Sequence, residues 1–168
     1  KPTPAGYVPR VIMEKTYQTC RRYAFGFHEK AGNLLFSGDT GLGKTFLSAC
    51  IARTVADRGC SVVYESAGHL FGKLEQAKFS PSEESRREAA KFTDCDLLII
   101  DDLGTELINQ FTLSCVYDVI NSRINNRKCT FINTNLNKNE IENKYNERIT
   151  SRLFGEYYPL PFTGTDIR

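Results

Sequence analysis

No apolar run in the sequence exceeds four residues, as in Leu97-Leu98-Ile99-Ile100, far short of the ~20 that a membrane helix needs. No membrane partner is expected. The six cysteines (Cys20, Cys50, Cys60, Cys95, Cys115, Cys129) contain no C-x-x-C pair, so zinc-ligand spacing is missing. Thiols in or beside apolar runs behave as small hydrophobes, and a reduced, cytoplasmic setting is expected. Charge of one sign is also lacking: 22 Lys and Arg face 20 Asp and Glu, a net of +2. Bulk electrostatics therefore argue neither for nor against nucleic acid. The opening Lys1-Pro2-Thr3-Pro4-Ala5-Gly6 has no apolar signal segment and no initiator Met, which leads us to expect a piece of a longer protein.

What remains is an ordinary globular composition. With 168 residues, 40% hydrophobic and 25% charged, the chain matches one domain. Eight Tyr and eleven Phe supply apolar area enough to offset ordering entropy. Residues 1–10 carry three of the six prolines and read as an extended lead-in. No repeat or low-complexity tract follows.

From there helical and strand patterns alternate. Met13, Tyr17, Cys20, Ala24 and Phe27 recur at helical spacing. Asn33–Ser37 is a short buried strand, and the helix carrying Leu47, Cys50, Ile51 and Val55 stops at Gly59. Ser61–Glu65 reads as a strand and Ala67–Lys78 as a helix, and Ser82 with Ser85 marks another helix start. Leu97–Asp101 is a strand apolar on both faces. Leu113, Val116, Tyr117, Ile120 and Ile124 mark a further helix, and Cys129–Thr134 a fourth strand. Short helices are expected around 138–146 and 148–154, then a fifth strand at Tyr157–Phe162. This alternation predicts a parallel sheet with helices on both faces.

One turn carries chemistry. Gly38-Asp39-Thr40-Gly41-Leu42-Gly43-Lys44-Thr45 fits the phosphate-loop pattern G-x-x-x-x-G-K-[ST] without mismatch. Glycines let successive N–H groups turn inward at phosphate oxygens, and the helix starting at Gly43 adds its positive dipole end. Lys44 is suited to the β- and γ-phosphates and Thr45 to Mg²⁺. The candidate nucleotide-binding set runs from Gly38 through Phe46. Downstream, Leu97–Ile100 ends in Asp101-Asp102. Carboxylates at the C-terminal end of a buried parallel strand fall where open α/β sheets bind ligands. Asp101 is the candidate Mg²⁺ acid, and Asp102 the candidate general base for an attacking water. On the next strand, residues 131, 133 and 135 would share one face, so either Asn133 or Asn135 can point to the nucleotide end.

These elements in this order resemble the AAA+ ATPases, and more narrowly the DnaC/DnaI helicase loaders and their IstB-type transposition-helper relatives. The resemblance rests on Gly38–Thr45, Asp-Leu-Leu-Ile-Ile-Asp-Asp-Leu-Gly-Thr-Glu (96–106), Asn-Thr-Asn-Leu (133–136), Glu-Arg-Ile-Thr-Ser-Arg-Leu (147–153) and Phe-Thr-Gly-Thr-Asp-Ile-Arg (162–168). It implies a three-layer α/β core, residues 11–168, with five parallel strands in order 5-1-4-3-2 and no separate helical lid. It implies ATP and Mg²⁺ as ligands and slow, assembly-dependent ATP hydrolysis. Asn135 would be the sensor that orients the lytic water. Arg152, with Arg148 assisting, would be an arginine finger acting in trans on a neighbouring subunit. Arg168 would be a second nucleotide sensor, and Tyr7 and Val8 would cover the base.

The implied partners are a hexameric replicative DNA helicase, single-stranded DNA and further copies of the chain. The DNA candidates are Lys73, Lys78, Arg86, Arg87 and Lys91, with Phe71 and Phe79 as stacking groups. Glu75, Glu83, Glu84 and Glu88 lie among them, which equally describes a solvated mixed-charge face. One departure bears on catalysis: most AAA+ proteins carry Asp-Glu where this chain has Asp101-Asp102. A partner-binding N-terminal domain is expected to lie outside this sequence. Rival readings are a transposition-helper ATPase, a nucleotide-binding adaptor with little turnover, and a small-molecule kinase.

Overall fold

The computed structural model describes residues 9–164; Tyr7, Val8 and Arg168 lie outside them. In chain order the elements are α1 Pro9–Phe25, β1 Asn33–Ser37, α2 Lys44–Asp57, β2 Val62–Ser66, α3 Ala67–Phe79 and α4 Glu83–Asp94. They continue with β3 Leu97–Leu103, α5 Gln110–Asn125, β4 Cys129–Thr134, α6 Lys138–Tyr145, α7 Glu147–Glu156 and β5 Tyr157–Pro161. Two boundaries differ from expectation. Helix α1 starts at Pro9, inside the expected lead-in, because the first helical turn tolerates a residue without an N–H. Strand β3 runs two residues past Asp101 to Leu103, across an irregularity in its pairing with β4.

All strands are parallel, in order β2-β3-β4-β1-β5, the order implied above read from the other edge. Central β1, β3 and β4 are the apolar runs, and the edges take what the centre cannot. Pro159 and Pro161 sit in β5, which pairs only with β1; an edge strand tolerates a missing donor.

Side chains alternate between two cores with the strand period of two. Leu97, Ile99, Phe36 and Phe131 join Cys20, Ala24, Ile51 and Val55 beneath α1 and α2. Leu98, Ile100, Leu35 and Ile132 join Leu70, Phe92, Val116, Ile120, Ile141 and Leu153 beneath α3 to α7. The result is three layers. Neighbouring β1 and β4 send the chain to opposite faces, into α2 and into α6–α7, and the crevice between such strands is where an open sheet receives a ligand.

Among the described residues, no helix is long and apolar enough to cross a membrane. The expected start at Ser82 is present as a reciprocal cap with Ser85. Helix α4 is closed at its other end by an unusual group. Arg123 of α5 is fully buried and donates to the carbonyls of Phe92, Thr93, Cys95 and Cys129 and to the Thr130 hydroxyl. Carbonyls at the C-terminal end of a helix lack partners of their own and carry partial negative charge. Their charge substitutes for a carboxylate.

Removing that guanidinium would orphan several buried carbonyls at once. Arg123→Ala is expected to lose about 3 kcal/mol or more in urea unfolding. Arg123→Lys should recover little, because an ammonium cannot reproduce the planar fork of donors.

Candidate nucleotide site

The loop between β1 and α2 curls because three of its glycines take positive φ: Gly38 at 145°, Gly41 at 82° and Gly43 at 88°. Gly38 also has to be small. A Cβ there would lie 2.3 Å from the Phe162 carbonyl oxygen as the chain leaves β5. Leu42 anchors the loop in the core beneath α1 and α2. Gly43 caps α2 without a side-chain acceptor, so the first amides of that helix are left for an anion.

Lys44 is buried, and its ammonium donates to the carbonyls of Gly38 (2.6 Å) and Asp39 (2.7 Å). Burial draws its pKa below the ordinary lysine value, against the pull of Asp102, Asp39 and Asp101. The loop thus holds the ammonium over its own concavity.

Asp101 is buried at the end of β3. Its Oδ1 accepts from Asn133 Nδ2 (2.7 Å), the Asp102 amide (3.1 Å) and Thr45 Oγ1 (3.3 Å). Its Oδ2 accepts from the Tyr64 hydroxyl (2.8 Å). Ser48, one turn after Thr45, lies 3.0 Å from the Tyr64 hydroxyl and accepts from Asn133 Nδ2 at 2.9 Å.

Sequence reasoning missed Tyr64 and Ser48 as parts of this site. Ser48 had a signal, its i+3 spacing from Thr45 on one helix face. Tyr64 had none, since only the β2–β3 pairing brings it to Asp101.

The two asparagines separate instead of sharing a face. β4 ends at Thr134, so strand alternation does not reach residue 135. Asn133 is buried behind Asp101, while Asn135, beyond the strand, is half-buried at the cleft.

Asp102 stands in the left-handed region, φ 55°, at the irregularity between Ile100 and Leu103. That conformation is costly for a residue with a Cβ, and such strain gathers at functional sites. It turns Asp102 outward into a cleft of about 460 Å³ with Thr40, Gly41, Gly43, Lys44, Thr45, Phe46 and Asn135. Burial and then the nearby Asp101 raise the Asp102 pKa, with Lys44 opposing.

The following loop is tied down. The Gly104 amide donates to Glu106 Oε2 at 2.9 Å, Lys144 donates to the Gly104 carbonyl, and the buried Tyr145 hydroxyl donates to Glu106 Oε1. Phe46 is 75% exposed and stands between the cleft and an adjoining apolar groove of about 590 Å³ beneath α1.

Arg152 is not among the described residues lining this cleft. It lies on α7 beside Tyr117 of α5, as does Arg148, whose guanidinium sits 4.5 Å from the Tyr117 ring centroid. The adjacent guanidinium groups, Arg152 first and then Arg148, lower the Tyr117 pKa.

The expected DNA-facing row is partly dismantled. Phe71 is buried in the core, because its place on α3 faces the sheet, so it cannot stack on a base. Lys73 pairs with Glu65 (2.8 Å), Arg87 with Glu83 and Lys91 with Glu88. Lys78 and the exposed Phe79 remain together, the ammonium 5.1 Å from the Phe111 ring centroid.

As for a metal, the Thr45 hydroxyl and the Asp101 carboxylate offer only oxygen donors, 3.3 Å apart, a hard set that suits Mg²⁺. Among the described residues, no cluster of three or more His, Cys, Asp and Glu is placed for another metal.

The model of the IstB-like ATP binding protein family matches residues 14–153. The chain belongs to that family. Among curated proteins, it is similar to the replicative helicase loader DnaC of Buchnera aphidicola, 24% identical over 84% of this chain and 58% of the relative. It is also similar to the protein named as the ATP-binding protein of insertion sequence IS232 in Bacillus thuringiensis, 32% identical over 66% of this chain and 43% of the relative. The chain thus spans about half the length of these curated relatives. Among solved structures, a crystal structure of the DnaC helicase loader superposes with a TM-score of 0.81 at 21% identity, covering 95% of both chains. The fold is that of an AAA+ P-loop ATPase, as expected.

The raised Asp102 pKa has a sign. Folding favours the protonated form, so the associated stability is present at low pH and lost as pH rises through the folded value. Asp102→Asn is therefore expected to unfold at a higher urea midpoint than the parent at pH 7, and the two midpoints should converge at about pH 4 and below.

Proposed function

We propose that this domain hydrolyses Mg²⁺-ATP at an interface between copies of itself and uses the cycle to load a hexameric replicative helicase onto single-stranded DNA. The observation that carries this reading is the division of the machinery. The phosphate loop, Asp102 and Asn135 converge on one cleft, with Asp101 buried against Thr45, while Arg152 and Arg148 stand on α7 and do not line it. An always-charged guanidinium that does not serve its own site is suited to the site of a neighbour.

ATP supplies the phosphoanhydride bond, and Mg²⁺ held near Thr45 and Asp101 supplies charge neutralisation at the phosphates. The chain does the rest. The amides of the loop and the ammonium of Lys44 take the phosphate oxygens. Asp102, whose pKa burial and the neighbouring Asp101 raise, accepts a proton from the attacking water. Asn135 orients that water across the cleft, and Arg152 of the next copy stabilises charge in the transition state. Arg168 joins the nucleotide set as the second sensor. Asp102 is a methylene shorter than glutamate, which makes turnover slow.

The helicase partner and a cytoplasmic setting are carried over from the similarity to the DnaC loader. A second reading has the insertion-sequence relative behind it: the same chemistry serving a transposase. Affinity capture of the full-length protein with ATP and Mg²⁺ separates the two.

Two outcomes test the chemistry. Asp102→Asn should keep nucleotide affinity near that of the parent and lose about 10²-fold or more in turnover. Lys44→Ala and Arg152→Ala, each inactive alone, should recover activity when mixed, because intact sites and intact fingers then meet across the interface. No recovery, together with specific activity independent of protein concentration, would sink the trans assignment.

A further inference from the structure

We propose that Tyr64 is a positioning residue for the cation: its hydroxyl sets the orientation of the Asp101 carboxylate and thereby the affinity for Mg²⁺. This inference rests on the nucleotide reading above and adds to it a residue that no phosphate-loop or acidic motif contains.

The placement follows from register. Tyr64 pairs with Ile99, and Ser66 with Asp101, so Tyr64 and Asp101 lie two positions apart along neighbouring strands and on the same face, the one covered by α2. Phe131 pairs with Ile99 from the other side, which puts Asn133 on that face too. Thr45 and Ser48 descend onto it from α2. Three elements, α2, β2 and β4, therefore direct polar groups at the carboxylate that β3 carries.

The two oxygens of that carboxylate are held unequally. Oδ1 has three donors, Asn133, Thr45 and the Asp102 amide. Oδ2 has one among the described residues, Tyr64 at 2.8 Å. Rotation of a carboxylate about its last bond is soft and moves both oxygens together. At Oδ1 only the Asn133 bond is short, the Thr45 and Asp102 bonds being 3.3 and 3.1 Å, so that oxygen alone restrains the swing weakly. The Tyr64 hydroxyl removes that freedom and leaves Oδ2 with capacity for one further partner, such as a water of a hydrated Mg²⁺. Ser48, 3.0 Å from the Tyr64 hydroxyl, holds the phenol end in place. Partners of metal ligands commonly govern metal affinity by 10–100-fold.

Tyr64→Phe keeps the ring in its place beside the core and deletes only the hydroxyl. Binding of a fluorescent ATP analogue is measured in EDTA and across a Mg²⁺ titration, with a urea midpoint to verify folding. The affinity in EDTA should stay at the parent value, while the Mg²⁺ concentration that gives half of the metal-dependent gain rises about tenfold. Ser48→Ala should shift it in the same direction by less. An unchanged Mg²⁺ dependence in Tyr64→Phe overturns the proposal. So does an equal loss of affinity with and without Mg²⁺, which would mark a merely structural role. If the parent protein shows no Mg²⁺-dependent gain at all, the nucleotide reading fails first; if only the variants match the parent, this inference alone fails.

Discussion

A carboxylate taken out of water must be met by donors, and Asp101 is met from four directions: α2 through Thr45, β2 through Tyr64, β4 through Asn133, and its own strand through the amide of Asp102. The desolvation cost of a buried acid is several kcal/mol unless such bonds are made. The requirement therefore disciplines the surrounding elements. It ties α2, β2 and β4 to the C-terminal part of β3. Asp102 is displaced into the left-handed region and pushed out into the cleft. A satisfied acid and a strained acid thus stand side by side at the end of β3.

The second organising feature is the separation of the two faces. The side beneath α1 and α2 carries the phosphate loop, and the side beneath α3 to α7 carries the arginines of α7. The loop after β3 is tied to the second of these sides. Gly104 is pinned at both its amide and its carbonyl, by Glu106 and by Lys144 of α6, and Glu106 is in turn held by the buried Tyr145. That chain of bonds joins the loop that follows Asp102 to α6.

Much of this was legible in the residues. Strand β3 reads as apolar on both faces because it is central and covered by helices on both, and the phosphate loop reads from its glycines because positive φ leaves few alternatives. The Ser82–Ser85 cap follows from local chemistry that needs no tertiary context. The errors are of one kind. From the sequence Phe71 reads as a stacking group because a charged helix hides which face turns inward, and the orientation of α3 on the sheet puts it in the core. Asn135 was placed on the strand face because alternation was extended one residue beyond the point where β4 ends.

By itself, then, the sequence determined the alternation of strands and helices, the phosphate loop and the acid pair, because each depends on local backbone conformation or on simple periodicity. The tertiary structure decided what those groups do to one another. Strand register brought Tyr64 to Asp101, the crossing of α5 buried Arg123 among the carbonyls that end α4, and the packing of α7 against α5 carried Arg152 away from its own cleft. Each of these joins residues dozens of positions apart, and such pairings are set by the sum of core packing over the whole sheet, not by any pattern within a single segment.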